Sequence, residues 1–575
     1  MSFKNDLFFI ISKANKITLI KIQLLMIISA FFELSTIISI IPLMKLLVEI
    51  NLIFENKYLN LIYNNLNFTN TDSFLIFIVL TTIFLFLTST LLILYTRYSV
   101  VKFNQNFLVN LGTLFFKKYL NMNYSFYISE SSSVIMRNLH DDLRRLIHGI
   151  IQPLMNMAAR LILILFISVS LLIYEFKITS ILFIILIFSY LLIFNFVKQN
   201  VSKYGILLST YSSKKIKLIN ETFLSIKDIL ISNNQNYFVL LYEKSLKEIS
   251  KAYVFVNLAS ISPRYLIDLI GFTFILCLIL FLKLIADNNL ESIISAITFL
   301  VFASYKLIPS FQEIYSSLIQ IKNNKNVLSN IKHMFNDNIP SQLPILKKNI
   351  SLKNVISFKN LSFKYNKRSK IKIFDNASID IKIGKMNAFI GSTGVGKSTL
   401  MEIILGLHEF DVEYILIDGI NFNKKYLNSL WNQISYVPQN SLLIDDTILS
   451  NICFAQRLDK INYKKLKLAL EISQLTTFVD SLPNNLSTIV GEKGVQLSGG
   501  QQQRISIARA IYQDRNFIFL DESMSALDEN TELKILKSIK SLKNKTILMI
   551  THRLATVSRF DNVFIIKNKK IIKKN

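Results

Sequence analysis

Apolar and polar positions divide this 575-residue chain into two unlike parts. In the first, long apolar runs recur, and a membrane-crossing helix needs roughly 20 such residues. Four runs are plain, at about 17–47, 73–96, 146–174 and 178–197. Two more, at about 252–282 and 292–320, are interrupted by charge. Six membrane spans are predicted. Apolar residues keep helical spacing into the long connections after the second and fourth spans, so those helices are expected to project well beyond the bilayer. In the outer connection 51–72, Tyr58, Leu59, Ile62, Tyr63 and Leu66 recur at helical spacing. That predicts a short amphipathic helix at 57–68, lying in the outer interface. From about 322 to 353 the long apolar runs stop and Pro340 and Pro344 appear, which marks a domain boundary. Beyond it, short apolar strands alternate with helical spacing. The expected organisation is a membrane domain at 1–330, a linker at 331–354 and an α/β domain at 355–575.

Composition agrees with membrane spans: 51% of residues are hydrophobic and the mean hydropathy is +0.41. A net charge of +27 suggests nucleic acid or anionic lipid as partner. Lys, Asn and Ile are abundant throughout, however, so the charge reads as a global bias and no nucleic-acid partner is expected. Its placement is informative. Arg97, Lys102, Lys117, Lys118, Arg137, Arg144 and Arg145 follow the second span, and nine lysines lie between 198 and 251. The alternate connections hold only Lys57, Lys177 and Lys283. The positive-inside rule makes the long connections and both termini cytoplasmic. Cys277 and Cys453 fall in different parts, which predicts no disulfide framework. The first apolar stretch is too long, and lacks a small-residue cleavage site, for a cleavable signal peptide.

Charges inside spans are costly and normally meet a partner or a polar cavity. Arg264 and Asp268 are one turn apart and can pair. Arg97 and Arg160 are near cytoplasmic ends and can snorkel. Lys306 has no acid one turn before it, Ser310 one turn after cannot neutralise it, and Glu313 lies two turns away. Pro309 allows a kink there.

The chemistry centres on Gly391-Ser392-Thr393-Gly394-Val395-Gly396-Lys397-Ser398-Thr399, a glycine-rich phosphate loop. Glycines let the backbone turn its N–H groups toward phosphate oxygens. Lys397 is placed for the β- and γ-phosphates, Ser398 for Mg²⁺, and the helix that follows offers its positive end to the anion. An apolar strand precedes the loop and an apolar helix follows, so the chain is expected to bind a nucleoside triphosphate. Tyr365 ends an upstream strand and is placed to stack on adenine. Gln439 follows a short strand. The run Phe517-Ile518-Phe519-Leu520 closes on Asp521 and Glu522, an arrangement that suits a cation and an attacking water. Asp521 is expected to hold Mg²⁺, with Gln439 and Ser398, and Glu522 to act as general base. His552 follows another strand and can reach the γ-phosphate.

Leu497-Ser498-Gly499-Gly500-Gln501, with Ser525-Ala526-Leu527-Asp528 and Thr551-His552-Arg553, resembles the ATP-binding cassette superfamily from about residue 355 onward. The resemblance implies a membrane all-α six-helix exporter domain followed by an α/β P-loop cassette, with ATP and Mg²⁺ as cofactors. It further implies a half-transporter acting as a homodimer, in which Ser498, Gly499, Gly500 and Gln501 of one cassette face the γ-phosphate held by the other. Short coupling helices are expected near 123–129 and 234–238, and residence in a bacterial inner membrane. Two departures are noted: residues 410–414 replace the usual Pro and Gly of a surface turn, and Gln502 stands where Arg or Lys is common. Within exporters, the helix at 57–68, the Ser262-Pro263-Arg264-Tyr265 start of the fifth span and Thr393-Gly394-Val395-Gly396 resemble bacterial flippases of lipid-linked oligosaccharides. That implies pyrophosphate contacts at Arg264 and Lys306. An exporter of lipid A or of hydrophobic drugs is the alternative, and a non-transporting ATP-gated channel or regulatory protein is disfavoured by Glu522.

Overall fold

A computed structural model describes residues 3–12, 14–48, 50, 52–174, 176–285, 290–335, 349–365, 371–408, 415–542 and 544–574. Pro340, Pro344 and the turn at 410–414 lie outside these. The chain forms two compact units, one of Met1–Leu120 with Glu130–Ile339, the other of Asn121–Ser129 with Pro340–Asn575.

Among the described residues, six long helices build the first unit: Lys16–Val48, Thr71–Leu120, Gln152–Tyr174, Phe176–Leu224, Gln235–Ile285 and Leu290–Phe335. Among the described residues, four segments are long and apolar enough to cross a membrane: Lys16–Met44, Thr71–Leu120, Ser132–Ile173 and Phe183–Leu224. The last two long helices carry the charge interruptions legible in the sequence. The helix Thr71–Leu120 has 50 residues, about 75 Å at 1.5 Å per residue against a hydrocarbon layer of about 30 Å. Projection beyond the bilayer follows from length alone. The sixth helix runs unbroken through Pro309 to Phe335, so helix continues past residue 331.

The amphipathic helix forms at Lys57–Asn65, capped by Asn56, whose side chain accepts from the Tyr58 and Leu59 amides. It stops short of residue 68 because Asn67 takes a left-handed φ of 53°. One face docks through buried Tyr63 on Phe54, Phe68 and Phe74, while Tyr58, Leu61, Ile62 and Leu66 remain exposed. Where one coupling helix is expected, a short helix forms at Tyr124–Ser129. The other expectation is corrected. The short helix lies at Ile226–Ile231, and Gln235–Phe238 is merely the first turn of the fifth long helix. Asn233, at φ 55°, supplies the turn between them.

Close helix packing in this unit rests on two glycines. A Cβ on Gly205 would sit 2.0 Å from the Asn323 carbonyl oxygen, and one on Gly149 would sit 2.2 Å from Asn324 Nδ2. Beside them, Arg145 donates to Asn324 Oδ1 at 2.9 Å and to Ser209 Oγ at 2.6 Å, tying three helical segments by charge-assisted bonds.

The described residues of the second unit form two sheets. Strands β1 (Val355–Phe363), β2 (Phe374–Lys382), β4 (Ile415–Ile417) and β5 (Ile420–Asn421) form an antiparallel sheet in the order β2-β1-β4-β5. The larger sheet joins β3 (Met386–Ile390), β6 (Ile434–Val437), β7 (Phe517–Asp521), β8 (Thr546–Ile550), β9 (Asn562–Lys567) and β10 (Lys570–Lys574) in the order β10-β9-β3-β8-β7-β6. Its strands are parallel except β10. A parallel sheet is covered on both faces, so its strands read as continuous apolar runs. In β7, Phe517 and Phe519 enter one core with Phe389 and Leu400, and Ile518 and Leu520 enter the other with Ile505 and Ile535. With β8 between β3 and β7, the carboxyl ends of the latter two open on one edge, where ligands bind in such sheets.

Because a backbone carbonyl cannot swing aside as a side chain can, Gly205→Ala is expected to destabilise the first unit by about 1–3 kcal/mol. Gly112→Ala is the matched control, since its nearest neighbour would be Leu143 Cδ1 at 3.9 Å. Thermal melting of the purified variants checks this; equal melting temperatures would remove the close-approach argument.

Candidate nucleotide site

The phosphate loop links β3 to the helix Lys397–Ile404. Gly394 and Gly396 take φ of 78° and 106°, a region closed to most side chains. A Cβ on Gly396 would also lie 2.7 Å from Ile373 Cγ2. Lys397 is buried, and its Nζ donates to the Gly391 and Ser392 carbonyls, each at 3.0 Å. Burial holds its pKa below the usual lysine value, against the pull of Glu522 and Asp521. An ammonium so held at the start of a helix, beside backbone turned by Gly394 and Gly396, fits a phosphate chain. Tyr365 is exposed, its hydroxyl 2.6 Å from Thr399 Oγ1, and its ring meets Phe363 and His408 edge-on.

At the end of β7, Ser398 Oγ donates to Asp521 Oδ1 at 3.4 Å and the Tyr436 hydroxyl to Oδ2 at 3.3 Å. Burial raises the Asp521 pKa, and these two donors oppose the shift. Among the described residues no group of three or more His, Cys, Asp or Glu could hold a metal. A hydroxyl and one carboxylate beside a phosphate cradle fit Mg²⁺, with phosphate oxygens completing its shell. Glu522 follows in a left-handed conformation, φ 44°. Gln439 Nε2 donates to its Oε2 at 2.7 Å, and His552 Nε2 lies 2.7 Å from its Oε1. Thus Gln439, His552 and Glu522 come together as one group, with Gln439 turned toward Glu522.

Ser498 caps the 14-residue helix Gly499–Tyr512 in a reciprocal box with Gln501. Ser498 and Gly499 are exposed at a positive helix end, and a Cβ on Gly500 would press to 3.1 Å on the Ala526 carbonyl. Gln502 donates to the Gly494 and Leu497 carbonyls and so shapes the turn ahead of the cap. Sequence reasoning missed Tyr436, three residues before Gln439. It also missed the cluster at Tyr124, whose ring meets His408, itself bonded to Glu402 at 2.6 Å; the Tyr124 pKa is raised by burial and then by Glu402.

The charges in the long helices are paired differently from expectation. Lys306 does not lack an acid: its Nζ reaches buried Glu33, two hundred and more residues away in sequence, at 2.8 Å. Arg264 meets Asp268 at 3.7 Å, as its spacing allows. Arg97 and Arg160 both turn to Glu313, at 3.0 and 2.6 Å. Asn156, Thr96 and Ser29 join Arg97, Arg160 and Glu33 around a cavity of about 40 Å³, room for a few waters only.

Long apolar helices and a phosphate-cradling α/β unit define a membrane protein with a nucleoside-triphosphate site. Residues 374–525 match the ABC transporter family model, and residues 37–309 match that of the ABC transporter transmembrane region. The chain belongs to the ABC transporters. It is 39% identical over 226 residues to an ABC transporter B family member 6 of Dictyostelium discoideum, covering 38% of this chain and 33% of that protein. It is 39% identical over 218 residues to an ATP-dependent lipid A-core flippase of Wigglesworthia glossinidia brevipalpis, covering 38% and 37%. The match thus spans just over a third of each curated relative or less. A solved bacterial Atm1-family ABC exporter with ATP bound superposes with a TM-score of 0.80 at 17% identity, covering 97% of this chain and 95% of that one. The fold is of that exporter type.

Glu522→Gln replaces the carboxylate by an amide of the same shape and leaves the neighbouring Asp521; if Glu522 is the base, the effect falls on hydrolysis. ATP hydrolysis by the purified protein is expected to fall by about 10²-fold or more, with nucleotide binding retained. Hydrolysis near the parent rate in that variant would remove the base assignment.

Proposed function

We propose that this protein is an ATP-driven flippase, a half-transporter that works as a homodimer and moves a phosphate-bearing lipid across a bacterial inner membrane. One observation carries the ATPase reading: Glu522 is held between Gln439 and His552 at the edge that also presents Lys397, Ser398 and Asp521. Bound Mg²⁺ supplies charge neutralisation of the phosphates, with Ser398 and Asp521 as its protein ligands. Lys397 and the loop amides orient the γ-phosphate. Glu522 takes the proton of the attacking water, while Gln439 and His552 fix its carboxylate. Tyr365 stacks on the adenine. An intact acid at 522 speaks against a non-transporting channel or regulator.

The exposed cap at Ser498, at a positive helix end, supports a head-to-tail dimer in which Ser498 and Gly500 complete the partner's site. The helix Tyr124–Ser129 clusters with the cassette unit although it connects membrane helices in sequence, and this supports its role as a coupling helix. Ser498→Arg is expected to abolish ATP turnover while the cassette stays folded. Turnover by that variant, or by a protein shown to be monomeric, would refute the shared site.

For the cargo, Arg97, Arg160 and Lys306 set three cations against Glu33 and Glu313. That surplus suits an anionic head group, and phosphate is strongly bound by guanidinium in a poorly hydrated place. A lipid-linked oligosaccharide carries such a group at its pyrophosphate. So does a lipid A-like lipid, the reading that the names of the flippase relatives favour. Phosphate contact at Lys306 is disfavoured by its 2.8 Å pair with Glu33 and its 24% side-chain exposure, while Arg97, 45% exposed and sharing Glu313 with Arg160, joins Arg264, 56% exposed, as a candidate. Arg160 retains Glu313 if Arg97 is removed. In nanodiscs, Arg97→Gln is expected to cut stimulation of the ATPase by either phosphorylated lipid several-fold, with basal hydrolysis within about twofold of the parent. Comparing the two lipids identifies the cargo class. Stimulation only by an uncharged amphiphile, indifferent to Arg97→Gln, would move the assignment to a hydrophobic-drug exporter.

A further inference from the structure

The turn Ser525-Ala526-Leu527, with Ser525 and Ala526 exposed and Leu527 buried, lies between the acid pair and the helix Glu529–Lys540. Its own internal bonds are few: the Ser525 amide donates to the Glu522 carbonyl and the Leu527 amide to that of Met524. Two side chains from distant parts of the cassette hold it otherwise. From the helix capped by Ser498 comes Gln503, 5% exposed. Its Oε1 accepts from the Ala526 amide at 2.9 Å and its Nε2 donates to Ser525 Oγ at 3.3 Å. From the other side comes Arg553, next in sequence to His552. Its Nη2 donates to the Ser525 and Leu527 carbonyls, each at 3.0 Å, and its Nη1 to buried Glu532.

The turn is therefore clamped between the helix that starts at Ser498 and the residue beside the one that touches Glu522. A shift of that helix pulls on the turn through Gln503. The turn moves Arg553 through two carbonyls, and Arg553 carries His552 with it. We propose that Gln503 and Arg553 are positioning residues that make the geometry of His552 and Glu522 depend on where the Ser498 helix stands. This rests on the reading of the site as an ATPase. Neither residue is placed to touch nucleotide. Each accounts for its position only if the turn must be held: Gln503, 5% exposed, spends a buried amide on it, and Arg553, 36% exposed and paired with a carboxylate 1% exposed, spends a guanidinium on two of its carbonyls.

The test uses the full-length protein and two variants that spare buried charge. Gln503→Ala removes both bonds to the turn. Arg553→Lys keeps a cation for Glu532 but lacks the fork that reaches two carbonyls. Each is expected to lower kcat for ATP about tenfold, with the affinity for a fluorescent ATP analogue within about twofold of the parent and the melting temperature unchanged. Since both act on one turn, the double variant is expected to lose no more than the worse single variant. Parent-like kcat in both single variants, losses that multiply in the double, or a parallel fall in nucleotide affinity would each overturn the inference. A parent protein that binds the analogue but hydrolyses no ATP would instead overturn the ATPase reading on which it stands.

Discussion

A carboxylate in a strained backbone, gripped from two sides, is what the cassette is arranged to provide. Glu522 has φ 44°, and a non-glycine residue in the left-handed region costs of order 1–3 kcal/mol unless its surroundings hold it there. The preceding strand supplies that hold. β7 is buried at all five positions and parallel to both β6 and β8, so Asp521 is fixed and the chain must turn sharply just after it. Gln439 at the end of β6 and His552 after β8 then reach Glu522 from either side. Parallel order makes this possible, since three successive strand ends open on one edge.

The same economy of buried charge governs the membrane helices. Lys306, Arg97 and Arg160 each have an acid within reach, and in all three the partner comes from another helix. Breaking such a pair leaves an uncompensated charge at a cost of about 3–5 kcal/mol, more than the pair itself adds to stability. The pairs therefore act chiefly as constraints on which helices can lie together. Arg97 and Arg160 share a single carboxylate, so Glu313 ties two guanidinium groups from different helices to its own.

Much of the nucleotide site was legible in the chain. The phosphate loop, the apolar run ending at Asp521 and Glu522, and the strand before His552 are local patterns, because strand burial and glycine turns are written into neighbouring residues. The long helices were legible for the same reason, since a bilayer demands an unbroken apolar length. Local rules also explain the errors. A helix start at Gln235 and a short helix at Ile226–Ile231 both satisfy apolar spacing, and only the left-handed turn at Asn233 separates them.

By itself, then, the sequence determined the two-part architecture, the phosphate cradle and the acids beside it, since each depends on residues within a few positions of one another. The tertiary structure decided which charges are free. Lys306 has no acid within one helical turn, yet Glu33 lies 2.8 Å away from a helix near the other end of the unit's sequence. It likewise decided that Gln503 and Arg553, 50 residues apart in the chain, meet at one turn. Ion pairs and hydrogen bonds act over a few ångströms in space, and proximity in space between distant residues is created only when helices and strands pack.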